Sequence, residues 1–245
     1  MDIREIVAAL GELTRDTFNG SAVFVAPGPD AYSVAQGVAD WQPGAMEAQA
    51  PDYIMLGIDF SLRPPHPLAR PIATSLGLAL GEVELPLPSG AVPLDRALAV
   101  LLDSDEVIPL SLAIALLVNF LAMQVSPASA RGSFLAPFAR LTFAEKAGVL
   151  ERLEDPAPEL VARIAAQTPE PLRPAIAGQL AYVGGMLFVL PAIATYIDWL
   201  AFDRQTKTML KHPTSWLLAG FQPDGPVEGW DDHQGYYQDR QSVSY

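Results

Sequence analysis

Two stretches of the chain, Val107 to Ala130 and Pro174 to Ile197, each run 24 residues without Asp, Glu, Lys, Arg or His. A helix apolar on every side needs cover on every side, so each stretch is either the centre of a large helical core or is sheathed by lipid or by a partner. Length alone permits a bilayer crossing. Composition favours burial, because Pro109, Asn119, Gln124, Ser126, Pro127 and Ser129 dilute the first stretch and Gln179, Gly184, Gly185 and Pro191 the second. The flanks point the same way: Asp103, Asp105 and Glu106 precede the first, Asp198 and Asp203 follow the second, and no Lys/Arg bias orients either across a membrane. Leu112, Leu116, Phe120, Leu187 and Leu190 are expected to share one core.

A chain of 245 residues can bury such a core. Hydrophobic residues make up 50% of it and charged residues 18%, which leaves little polar surface to hydrate and predicts an obligate interface. The net charge of −13 repels phosphate backbones and anionic headgroups, so nucleic acid is not an expected partner. With no cysteine there is no disulfide, thiolate catalysis or thiolate metal site. The first residues, MDIREIVAALGELTRD, lack the basic start and continuous apolar run of a secretory signal, and a cytoplasmic location is the expectation.

Local signals predict a predominantly helical chain with little strand. Asp2 can cap a first helix with Ile3, Ile6, Val7, Leu10 and Leu13 on one stripe, ended by Asn19-Gly20. Ser21 to Gly37 reads as a short β-like run and an ordered Pro-Gly-Pro-Asp loop. Proline and glycine density from Pro43 to Pro93 predicts an extended wrap, interrupted by short helices near Asp52 to Asp59 and Leu68 to Leu80. Helices are expected at Leu94 to Leu102 and at Ile108 to Met123. The capping box Thr142-Phe-Ala-Glu145 sets another at Phe143 to Leu153, and Glu159 to Gln167 follows. Pro171 to Phe202 should hold one or two more, kinked or divided by Gly184-Gly185 and Pro191.

Catalytic signals are sparse. His66, His212 and His233 form no H-x-x-x-H pair, so no metal face is expected, Asp231-Asp232-His233 being the best of a weak set. Asp103-Ser-Asp105-Glu106 lacks the glycine and distal Glu of a calcium loop and reads as a helix start whose acids oppose the dipole. Neither G-x-S-x-G nor a dinucleotide or triphosphate loop occurs. No catalytic, cofactor-binding or metal residues are assigned. The aromatic tail stands out instead. Trp216, Phe221, Trp230, Tyr236 and Tyr237, with Asp231 and Asp232, have the composition of an interface hot spot, or of a tail that seals its own core.

Four passages carry a resemblance: LTRDTFNGSAVFVAPGPDAYSVAQG, PGAMEAQAPDYIMLGIDF, FLAPFARLTFAEKAGVLERLE and HPTSWLLAGFQPDG. In these the chain resembles the small, non-flavin subunit (subunit three) of gluconate 2-dehydrogenases and relatives that accompany glucose-methanol-choline flavoproteins. The resemblance implies a largely helical protein without chemistry of its own that escorts or stabilises a large flavoprotein subunit, with FAD held by that partner. Many members carry a twin-arginine export signal, and this chain begins directly with its first helix, which puts a periplasmic location in doubt.

Together these readings predict an all-α fold, one irregular helical domain over residues 1–245. Residues 1–93 would be helix plus Pro/Gly-rich wrap, 94–210 the helical core and 211–245 the aromatic tail. The expected function is that of a non-catalytic accessory subunit of a flavin-dependent oxidoreductase. The alternatives are a membrane-associated helical protein and a module holding a sterol or acyl chain between the two apolar helices.

Overall fold

Asp2 opens the fold, its carboxylate accepting the Arg4 amide hydrogen at 2.9 Å to cap the helix α1, Ile3–Val25. The computed structural model describes residues 2–61, 66–197, 201–203, 205–206 and 208–221. Among them the chain is all-α: α1 is followed by α2 (Ala31–Ala35), α3 (Ala50–Ser61), α4 (Ala69–Leu76), α5 (Leu94–Leu102), α6 (Leu110–Val125), α7 (Phe143–Glu154), α8 (Pro158–Gln167), α9 (Ile176–Tyr196) and α10 (Thr214–Ala219). Two antiparallel ladders, β1 (Glu84–Leu85) with β2 (Val92–Pro93) and β3 (Phe202–Asp203) with β4 (Thr208–Met209), are the strands among these residues.

The first helix does not end at Asn19-Gly20. It passes through both and takes in the run read as β-like. Gly20 serves close packing here: a Cβ on it would stand 2.9 Å from Cα of Ala139, in the 3-10 turn Pro137–Arg140 that crosses α1 at this point. Glycine disfavours a helix interior by roughly 1 kcal/mol, and the helix nevertheless continues through it. Asp30 then caps α2, accepting the amide hydrogens of Tyr32 and Ser33 at 2.8 and 3.0 Å.

Around α6 the expectation of cover on every side is met. Each residue from Leu110 to Ala122 is buried, and α1, α3, α4 and α7 pack about it. Its start is displaced from the sequence reading, since Pro109 takes the N-cap and offers no side-chain acceptor. The acids of Asp103 to Glu106 do not serve as the helix start, because Asp103 lies at the C-cap of α5 and the next two fall in the connection. Asp59 of α3 supplies the cap from outside, accepting the Ser111 amide at 2.9 Å and its hydroxyl at 2.6 Å.

The helix α9 is a single piece despite Gly184-Gly185 and Pro191. Proline at 191 removes the N–H that would bond the Leu187 carbonyl. The Ser21 hydroxyl of α1 approaches that carbonyl instead, at 3.5 Å. Gly184 allows close packing on α7, where a Cβ would meet that of Leu153 at 3.1 Å. Only a third of its most apolar window is buried, so the expectation of full cover fails for this helix. Leu112, Leu116, Phe120 and Leu187 are buried in one core that reaches from Ile6 to Ala194, with Leu190 half-buried against it. The capping box is present, with α7 beginning at Phe143.

The contrast between the two apolar helices is measurable. Leu116→Ala, at a position with 0% exposure, should cost about 2–5 kcal/mol of unfolding free energy. Val189→Ala, at 55% exposure, should stay within about 0.5 kcal/mol of wild type. Urea denaturation of the two variants checks this, and equal costs would show that the Val189 face is covered.

Candidate functional site

Two of the resembling passages meet in a buried polar junction. Asp16 accepts the Tyr32 hydroxyl at 2.5 Å and the Ala136 amide at 2.7 Å. Asn119 reaches out of α6 in both directions, donating to the Thr17 hydroxyl at 2.8 Å and accepting the Phe138 amide at 2.9 Å. Arg140 donates to the carbonyls of Ser129, Phe134 and Leu135, winding the loop around its guanidinium. Tyr32 stacks on Phe134 with ring centres 4.3 Å apart. Burial and the bond to Asp16 push the Tyr32 phenol up to about 12.

Lys146 shares the buried stripe of α7 with Val149, Leu150 and Leu153 and has 0% exposure. Its ammonium donates to the Gly20 carbonyl at 3.0 Å and to Oε1 of Gln36 at 2.8 Å, and stands 5.6 Å from the centre of the Phe138 ring. Burial lowers its pKa to about 7, while Asp30 and Asp16 act against that shift. These groups sit under packed backbone and serve to position it.

The exposed chemistry lies on α3 and α9. Along α9, Tyr182, Gly185, Val189, Ile193 and Tyr196 recur at intervals of three, four, four and three residues, a stripe roughly 80° wide at 3.6 residues per turn. Its four large side chains are exposed. On α3, Tyr53, Leu56, Gly57 and Phe60 make a matching stripe, with Phe60 78% exposed. The two helices pack together, and between them Tyr53, Gly57, Tyr182, Gly185 and Val189 line an apolar groove of about 480 Å³. No Cβ would meet anything within 4 Å at Gly57 or Gly185, so the floor is backbone. This contiguous apolar surface is the candidate interaction site of the described residues.

Of the tail residues, Trp216 and Phe221 belong to one small cluster. Trp216, on α10, is half-buried and meets Phe221 edge to face at 5.0 Å, with Phe221 46% exposed. The tail is helical over Thr214–Ala219, and α10 packs on α9. Trp230, Asp231, Asp232, Tyr236 and Tyr237 lie outside the described residues, as does His233. Burial lowers the pKa of His66, whose Nδ1 accepts the Leu68 amide at 3.3 Å. Among the described residues no group of three or more His, Asp or Glu could hold a metal ion. The crevice reaching from His66 to Ile114 and Leu180 has about 50 Å³ of free space, room for roughly one or two waters and not for a sterol or acyl chain.

The α3 and α9 stripes escape a sequence reading because α9 carries no charge to mark its outer side, while Leu56 and Phe60, four residues apart beside a glycine, are the one available hint. Comparison with protein-family models, with curated proteins and with solved structures finds no match for the chain.

The junction yields a pH signature. Because the folded pKa of Lys146 lies below its unfolded value of 10.5, the unfolded chain binds more protons between the two. Stability should therefore be flat in this contribution below about pH 7 and rise from there towards pH 10, above which the raised Tyr32 begins to oppose it. Thermal melts across that range should show the rise, and Lys146→Met should remove it.

Proposed function

We propose that the chain is a non-catalytic accessory subunit that binds and stabilises a flavin-dependent oxidoreductase of the glucose-methanol-choline type, with FAD held by that partner. One observation carries the reading: Leu56 and Phe60 of α3 and Tyr182, Val189, Ile193 and Tyr196 of α9 are exposed among the described residues, beside an apolar groove. A face of that kind gains free energy by burial against another apolar surface, at about 25 cal/mol per Å² removed from water. The resemblance supplies the class of partner. Trp216 and Phe221, paired edge to face on and beside α10, act in this reading as rigid anchors. Trp230, Tyr236 and Tyr237 continue this aromatic contact in the proposal, and Asp231 and Asp232 set orientation against a basic patch of the partner.

A second reading has its own support. The helix spanning Arg173–Tyr196 is long and apolar enough to cross a membrane by length and composition. On this alternative the α9 face rests against lipid.

Charging the stripe separates the two. Val189→Asp combined with Ile193→Asp should leave helicity and melting midpoint near wild type, because both positions are exposed, and abolish co-purification with the co-expressed flavoprotein. Recovery of the flavoprotein at wild-type yield would remove this face from the interface. Flotation of the wild-type chain alone on phosphatidylcholine vesicles, lost in the same double variant, would favour the lipid reading.

A further inference from the structure

Where α6, α7 and α8 meet, away from the α3–α9 groove residues, a cleft of about 280 Å³ opens to solvent. Its apolar wall is Phe120 and Leu121 of α6 with Leu160 of α8, all buried. Its rim carries Arg152 near the end of α7, Asp155 just beyond it, and Glu159 and Arg163 of α8. The Arg163 guanidinium carbon stands 5.6 Å from the centre of the Phe120 ring, so the charge is held over the aromatic wall.

Glu159 and Arg163 are four residues apart on one helix, a separation at which opposite charges can pair, and Arg152 stands one turn before Asp155, the C-cap of α7. They do not pair. Among the described residues the ion pairs are Arg15 with Asp52 and Glu170 with Arg173, and no hydrogen bond joins the four rim side chains to each other. The cleft therefore offers two guanidiniums and two carboxylates around an apolar wall. A simple anion would face the carboxylates and a simple cation the guanidiniums, each at a cost in like-charge repulsion. A ligand bearing both signs meets neither penalty.

We propose that this cleft binds a small zwitterion with an apolar side chain, an aliphatic α-amino acid. Its carboxylate would take the guanidiniums of Arg152 and Arg163, its ammonium the carboxylates of Asp155 and Glu159, and its side chain the surface of Phe120, Leu121 and Leu160. Size agrees. At about 30 Å³ per water-sized group, 280 Å³ holds roughly nine such groups, the heavy-atom count of leucine.

The test is a titration of L-leucine into methyl-labelled wild-type protein, followed at the Leu121 and Leu160 methyl resonances. Both should move along one saturable curve with a Kd of roughly a millimolar or tighter. The half-ligands 4-methylpentanoate, which lacks the ammonium, and 3-methylbutylamine, which lacks the carboxylate, should each bind roughly tenfold more weakly, as should leucine to Arg163→Gln and to Asp155→Asn. Three results would overturn the proposal: no saturable movement with L-leucine, L-isoleucine or L-methionine; half-ligands that bind as well as leucine; or leucine binding unchanged in both folded variants. Should a substitution disturb the fold, the wild-type titrations with leucine and the half-ligands decide alone.

Discussion

The contact of α1 with the 3-10 turn Pro137–Arg140 ties the first helix to the loop before α7, and Gly20 lets the helix backbone come close to that of Ala139. Such an approach has no tolerance for a side chain, and it brings peptide groups into a dry interior where each needs a partner. The polar residues of α1 and α6 supply them. Asp16 takes the amide of Ala136, Asn119 the amide of Phe138, and Lys146 satisfies the Gly20 carbonyl. The irregular loop from Ser129 to Thr142 is thereby tied to α1 and α6 by hydrogen bonds, and α7 begins at its end.

The two uncharged helices show how little composition says about environment. In α6 a neighbour covers each side and a foreign carboxylate, Asp59, finishes the first turn. Among the described residues α9 packs on α1, α3 and α7, touches α8 and α10, and leaves Tyr182, Val189, Ile193 and Tyr196 exposed. Its proline is tolerated because the orphaned carbonyl points at α1 and not at lipid or solvent, where Ser21 can reach it. Phe24 of α1 stacks on Phe143 and meets Phe188 edge to face, which closes the seam between α1, α7 and α9.

What could be read from the chain was whatever is encoded within a turn or two. The capping box at Thr142, the α5 span and the helical class all follow from short-range chemistry, and all are found. Errors arose where a distant group decided the outcome. Gly20 looks like a stop and acts as a contact; Asp103 looks like a helix start, yet Asp59 does that work from α3. The candidate face was illegible for a related reason. A helix without charges has no polar side to contrast with, so its burial is set entirely by how many neighbours arrive. The tail's aromatic chemistry was visible, but only Trp216 and Phe221 fall among the described residues.

Asp59 ties together two parts of the molecule that differ in every other respect. It rides on the same short helix as Leu56 and Phe60, so the element that shows apolar side chains to the outside also holds shut the first turn of the innermost helix. Local opening of α3 withdraws the carboxylate and leaves the Ser111 amide without its acceptor. The outer surface and the buried terminus thus share one opening equilibrium. Whatever damps motion of α3 from outside shifts that equilibrium towards the closed state, and amide hydrogens at the start of α6 exchange more slowly as a result, although nothing has touched them.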